Sequence, residues 1–101
     1  MKIHTIDISE QTLAQICRRF GVTELALFGS VLRDDFRPDS DIDVLVTFTP
    51  DSKVDLFDLA ELQLALKDCF GRPADVVEKA ALTNPYRRQP ILSTAEVIYA
   101  A

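Results

Sequence analysis

A chain that alternates helices and strands, with a small mixed β-sheet flanked by helices, is the fold the sequence predicts; the class is α/β or α+β. Three observations carry it. Segments of helical and of strand period follow one another as helix, strand, helix, strand, helix, strand, helix, strand, an order that packs helices onto a sheet. Cap residues and glycines punctuate those segments. Finally, 48% of the 101 residues are apolar, enough for one domain, 1–101, to hold a core without staples.

The N-terminal Met1–Ile8 is short and mixed, and reads as loop or fraying strand. Ser9 is a good N-cap, Leu13, Ile16, Cys17 and Phe20 recur at i, i+3, i+4 and i+7, and Gly21 supplies a stop, so a helix is expected over Glu10–Phe20. Glu24–Phe28 follows as a buried strand. A short helix starts at Ser30, and Asp34, Asp35 and Pro38 favour a turn after it. Asp41–Phe48 is the second strand, rich in β-branched residues, broken by Thr49-Pro50-Asp51-Ser52.

Lys53–Phe70 reads as the longest helix, with Leu59, Leu62, Leu66, Cys69 and Phe70 on one face and Gly71 as its cap. Ala74-Asp75-Val76-Val77 is a short third strand whose Asp75 and Val77 face one way. Asn84-Pro85 opens another helix, which Pro90 is expected to break or kink near Gln89. Glu96–Tyr99 is a last strand.

The formal net charge of −5 argues against broad nucleic-acid binding, which needs a basic footprint. It agrees better with a basic protein partner or with carboxylates awaiting metal. No opening apolar run has a basic flank and no stretch is long enough to span a bilayer, so the expectation is a cytoplasmic chain with no membrane partner. Cys17 and Cys69 fall among apolar helix residues and read as buried thiols rather than a disulfide.

The chemistry concentrates in Leu27–Val46. Gly29 follows an apolar run and, lacking a Cβ, lets a phosphate approach the backbone; Ser30 adds an N–H and a hydroxyl. In the next strand Asp41 and Asp43 share a face, because side chains there alternate with period two. Paired carboxylates repel unless a cation sits between them, and a hard divalent ion such as Mg²⁺ suits carboxylate and phosphate oxygens. Asp39, Asp41 and Asp43 also have the opening spacing of a calcium loop, but Val44 stands where that loop needs Gly and Pro50 where it needs Glu.

Gly29-Ser30 followed by Asp41-x-Asp43, within Phe28-Gly29-Ser30-Val31-Leu32-Arg33 and Pro38-Asp39-Ser40-Asp41-Ile42-Asp43-Val44-Leu45-Val46, resembles the signature of the polymerase-β-like nucleotidyltransferase superfamily, in its minimal (MNT) branch. The resemblance implies an α+β polymerase-β palm with Asp41, Asp43 and Asp75 converging on one sheet face. It implies two Mg²⁺ ions held by those three acids, with Asp75 also activating the attacking hydroxyl. Gly29 and Ser30 would cradle the phosphates of an NTP. Arg33 matches the basic residue often found three places after the Ser, and it either contacts phosphate or pairs with Asp34 or Asp35. Asp34 departs from the family, which usually has a small residue there.

Among the remaining residues, His4 is a bystander and Tyr86 and Tyr99 are expected to pack. Arg87 and Arg88 lie in the first turn of a helix, where the dipole disfavours positive charge, which points to a partner or a phosphate.

A short chain leaves little room to grip an acceptor, and minimal members are typically paired with a helical HEPN-type RNase as antitoxin and toxin. The expected activity is therefore Mg²⁺-dependent transfer of AMP from ATP to a hydroxyl, a tyrosine of a HEPN toxin, in a hetero-oligomer. The alternatives are a catalytically inactive antitoxin that acts by binding alone, and a nucleotidyltransferase of small molecules.

Overall fold

In the computed structural model, which describes residues 1–3, 6–32 and 40–101, the first helix, α1, spans Glu10–Phe20. Its ends are those the cap residues predict. The Ser9 hydroxyl accepts from the Thr12 N–H at 3.2 Å, and Gly21 closes the helix in the left-handed region, its N–H donating to the Arg18 and Cys17 carbonyls.

Ahead of α1 the structure differs from the loop reading. Strand stubs β1 (Lys2–Ile3) and β2 (Ile6–Asp7) pair antiparallel. The Met1 ammonium donates to the Ile8 carbonyl at 2.8 Å, and the Ile8 N–H donates back to Met1 at 2.6 Å. Ile3, Ile6 and Ile8 are buried against the main core, so tertiary packing holds stubs too short to show a period.

The remaining elements are β3 (Val22–Phe28), β4 (Ile42–Phe48), α2 (Leu56–Phe70), β5 (Ala74–Glu78), α3 (Pro85–Thr94) and β6 (Glu96–Ala100). The short helix expected at Ser30 is a single 3₁₀ turn, Gly29–Leu32, too short to carry a macrodipole. Helix α2 begins three residues after the expected Lys53, because Asp55 and Asp58 form a reciprocal capping box. The Asp55 carboxylate accepts from the Asp58 N–H at 2.8 Å, and the Asp58 carboxylate accepts from the Asp55 N–H at 3.1 Å. Helix α3 runs through Pro90 to Thr94, so the break expected near Gln89 is absent. One proline removes only its own N–H bond, and the Ser93 and Thr94 hydroxyls donate to its carbonyl at 3.1 and 2.7 Å.

The strands form one mixed sheet in the order β5-β4-β3-β6; β4–β5 is parallel and the other pairs are antiparallel. This parallel pair inside an otherwise antiparallel sheet resolves the class as α+β. Period-two alternation splits the apolar residues between two faces. Leu25, Leu27, Ile42, Val44 and Val46 pack with Leu13, Cys17, Leu62, Leu66 and Phe70, from α1 and α2. Ala26, Phe28 and Leu45 pack on the other face with Leu82, Val77 and the α3 residues Ile91 and Leu92. Asp43 has the parity of Leu45, so it belongs to this second face.

Cys17 and Cys69 are both free thiols, as expected, but only Cys17 is buried; Cys69 is half-buried. Burial, with the neighbouring Cys69 thiol adding to it, pushes Cys17 from 9.0 up to about 12. The unfolded chain thus releases this proton at a lower pH than the folded one. The stability contributed is whole below pH 9 and is lost as pH rises towards 12. Between pH 8 and pH 10 the loss attributable to Cys17 is on the order of 1 kcal/mol. Urea unfolding at the two pH values checks it: a Cys17→Ala chain should show a pH decrement smaller by that amount.

Candidate functional site

Gly29 ends β3 with φ +77°, in the region that favours glycine. The space a Cβ would take is already filled: a methyl built there would collide with Asp43 Oδ2 and lie 3.2 Å from Asp43 Cγ. The Asp43 carboxylate therefore lies directly over the bare α-carbon of Gly29. Strand pairing produces this contact, since Phe28 and Asp43 are register partners in β3–β4.

On its other side Asp43 is the register partner of Asp75 in the parallel β4–β5 pair. Register partners project to the same face, so two carboxylates stand side by side there. Asp43 is half-buried and Asp75 exposed. Where β4 and β5 open, the Ile42 N–H donates to the Pro73 carbonyl at 2.9 Å, and Asp41 lies one residue outside the strand, exposed. Among the described residues no three His, Cys, Asp or Glu side chains gather into a ready-made metal cage. The donor set still suits Mg²⁺, which is commonly held by one or two carboxylates together with substrate phosphates rather than by an all-protein cage.

Ser30 is half-buried in the 3₁₀ turn directly after Gly29. Arg33 and His4 lie outside the described residues. Of the two helix arginines, Arg88 is engaged within the fold: its Nη1 donates to the Leu82 carbonyl at 2.9 Å and to the Lys79 carbonyl at 3.3 Å, tying α3 to the 3₁₀ turn Lys79–Ala81. Arg87 is exposed. Tyr99 packs partly against the core, but Tyr86 is 89% exposed, contrary to the packing expected of it.

Sequence reasoning missed the neighbour of this site. A groove of about 540 Å³ runs beside Gly29 on the same sheet face, lined by Phe28, Gly29, Leu32, Pro90, Ile91 and Thr94. Its walls come from the end of β3 and the end of α3, and only the sheet order brings them together. The one trace in the sequence is the spacing Pro90, Ile91, Thr94, which places the three on neighbouring positions of a helix surface. Across the sheet the order is thus Asp75 on the edge strand, Asp43, Gly29, then the groove.

Comparison with known proteins identifies the family and the fold. The profile of the nucleotidyltransferase domain matches residues 9–98. The protein adenylyltransferase MntA of Thermococcus cleftensis is 33% identical over 85 residues, 84% of this chain and 81% of that one. A solved structure assigned to the minimal nucleotidyltransferases is 36% identical, with a TM-score of 0.67 over 88% of this chain and 86% of that one. A chain of a toxin–antitoxin complex with AMP-PNP shares the fold at 19% identity, with a TM-score of 0.72 over 93% of this chain and 75% of that one. So does a chain of the complex between a tri-AMPylated Shewanella oneidensis HEPN toxin and its MNT antitoxin, at 19% identity, with a TM-score of 0.63 over 91% and 70% of the two chains.

Proposed function

Because the chain belongs to the nucleotidyltransferase domain family, in its minimal MntA-like branch, we propose that it is an antitoxin that transfers AMP from ATP to a tyrosine hydroxyl of a HEPN-type toxin. Nucleotidyl transfer is the family's chemistry; donor, acceptor, partner and ions are the content of the proposal. The observation that carries it is the Asp43 carboxylate over the bare α-carbon of Gly29, with Asp75 in register beside it.

In this reading the triphosphate lies against Gly29 and Ser30, whose N–H groups and hydroxyl hold its oxygens. The acceptor hydroxyl approaches from the open edge of the sheet, past Asp75. Its oxygen bonds to the α-phosphorus, the bond from that phosphorus to the bridging oxygen breaks, and pyrophosphate leaves. Asp75 takes the proton released by the acceptor. Asp41, Asp43 and Asp75, with phosphate oxygens, would hold two Mg²⁺ ions, which supply neutralisation of the charge developing on the leaving group and on the acceptor oxygen.

Label position tests the reaction type. ATP labelled at the α-phosphorus should leave its label on the HEPN-type partner, and ATP labelled at the γ-phosphorus should not. Label retained from the γ position would mean phosphoryl transfer and would sink the proposal.

A further inference from the structure

Helix α2 carries Leu59, Gln63, Leu66 and Phe70 at helical spacing on one face, and one member of that row is polar. Leu66 and Phe70 are buried, and Leu59 is half-buried. Gln63, itself half-buried, has its amide oxygen engaged: Oε1 accepts from the Val76 N–H at 3.0 Å. Val76 directly follows Asp75 in β5, and β5 is an edge strand, with β4 on one side only among the described residues. The Gln63 amide thus stands where the next strand of the sheet would stand. We propose that Gln63 is a positioning residue for AMP transfer: by holding the peptide between Asp75 and Val76, it keeps the Asp75 carboxylate aimed beside Asp43. The inference rests on the reading of Asp75 given above and adds to it the residue that aims this acid.

Peptide geometry gives the amide its leverage. A trans peptide is planar, and its C=O and N–H point opposite ways. The Val76 N–H points out of the sheet edge to Gln63, so the Asp75 carbonyl, in the same plane, turns in towards β4. Gln63 therefore holds this plane from its outer side, while the register pairs Asp43–Asp75 and Val44–Val76 hold β5 from its inner side. Rotation of the plane is rotation about the Cα–C bond of Asp75, which moves its carboxylate relative to that of Asp43. Water at an open edge would satisfy the Val76 N–H as a hydrogen bond, but it would not fix the direction. Asp75 is exposed, so its aim comes from the backbone more than from packing.

A misplacement of about 1 Å in a reacting group costs on the order of 100-fold in rate. Loosening one peptide plane by a fraction of that distance should lower turnover by about tenfold. Gln63→Met removes the acceptor at nearly the same side-chain length, and Gln63→Glu keeps an oxygen there; both replacements are good helix formers.

Two measurements on the whole chain test this. In the ligand-free chain, hydrogen exchange at the Val76 amide should be about tenfold faster in Gln63→Met and native-like in Gln63→Glu. Single-turnover AMP transfer to the HEPN-type partner should fall about tenfold in Gln63→Met and return to within about threefold of native in Gln63→Glu. Added to Asp75→Asn, Gln63→Met should lower the residual rate no further, because it acts through an acid that is already gone. A merely structural role would lower the rate alike in both backgrounds, and that result overturns the inference. So does native transfer, or native exchange at Val76, in Gln63→Met. If the native chain transfers no AMP, or Asp75→Asn transfers as well as the native chain, the reading of the site is what fails, and this inference fails with it.

Discussion

Asp43→Asn should lower the rate of AMP transfer by roughly 10³-fold, about 4 kcal/mol in the barrier, while the chain stays folded. The asparagine keeps the shape of a side chain packed over Gly29 but removes its charge and replaces one of its two oxygen donors, between Gly29 and Asp75, with an amide NH2. Asp75→Asn should be comparably severe for transfer without a cost in stability. Like charges on register-paired strands repel, so relieving the pair should leave the ligand-free chain as stable as before or steadier by roughly 0.5 kcal/mol. Single-turnover transfer rates paired with urea midpoints check both expectations. Loss of transfer accompanied by a large fall in midpoint would mean that these acids hold the fold rather than the chemistry.

Gly29→Ala should cost about 2 kcal/mol of stability and roughly 100-fold in transfer. Part of the cost is backbone strain, about 1 kcal/mol for an L-residue held in the left-handed region. The rest is contact, because the new methyl collides with the Asp43 carboxylate, which must swing out of its place between Gly29 and Asp75. Gly71→Ala separates the two contributions. Gly71 has nearly the same φ, +73°, but a Cβ there meets nothing within 4 Å. It should lose the strain energy alone and keep full transfer activity. Equal transfer by the two variants would show that the Gly29–Asp43 contact has no bearing on catalysis.

The fold was legible in the sequence where short-range chemistry decides the outcome. Ser9 and Gly21 bound α1, and Asn84-Pro85 opens α3, because caps act over three or four residues. The start of α2 was misread because the reciprocal box there is Asp-x-x-Asp, whose second acid is shorter than the usual Glu. The stubs of β1 and β2 are set by burial of Ile3, Ile6 and Ile8, and two residues hold no period.

The site divides in the same way. Gly29, Ser30, Asp41 and Asp43 could be picked out from residue type and spacing. The pairing of Asp43 with Asp75 is a property of strand order and register, which a lone sequence does not contain, and only the family resemblance anticipated it. The groove walls lie about sixty residues apart in the chain and left no motif. Arg88 was read as a candidate contact for a partner or phosphate, but two backbone carbonyls of its own chain engage it.

The most direct test of the central claim is the intact mass of the HEPN-type partner after incubation with this chain, ATP and Mg²⁺, beside a parallel incubation with Asp43→Asn. The account predicts a gain of one or more AMP units, about 329 Da each, in the first and none in the second. A partner of unchanged mass that both versions nevertheless neutralise would contradict it and make binding alone the function.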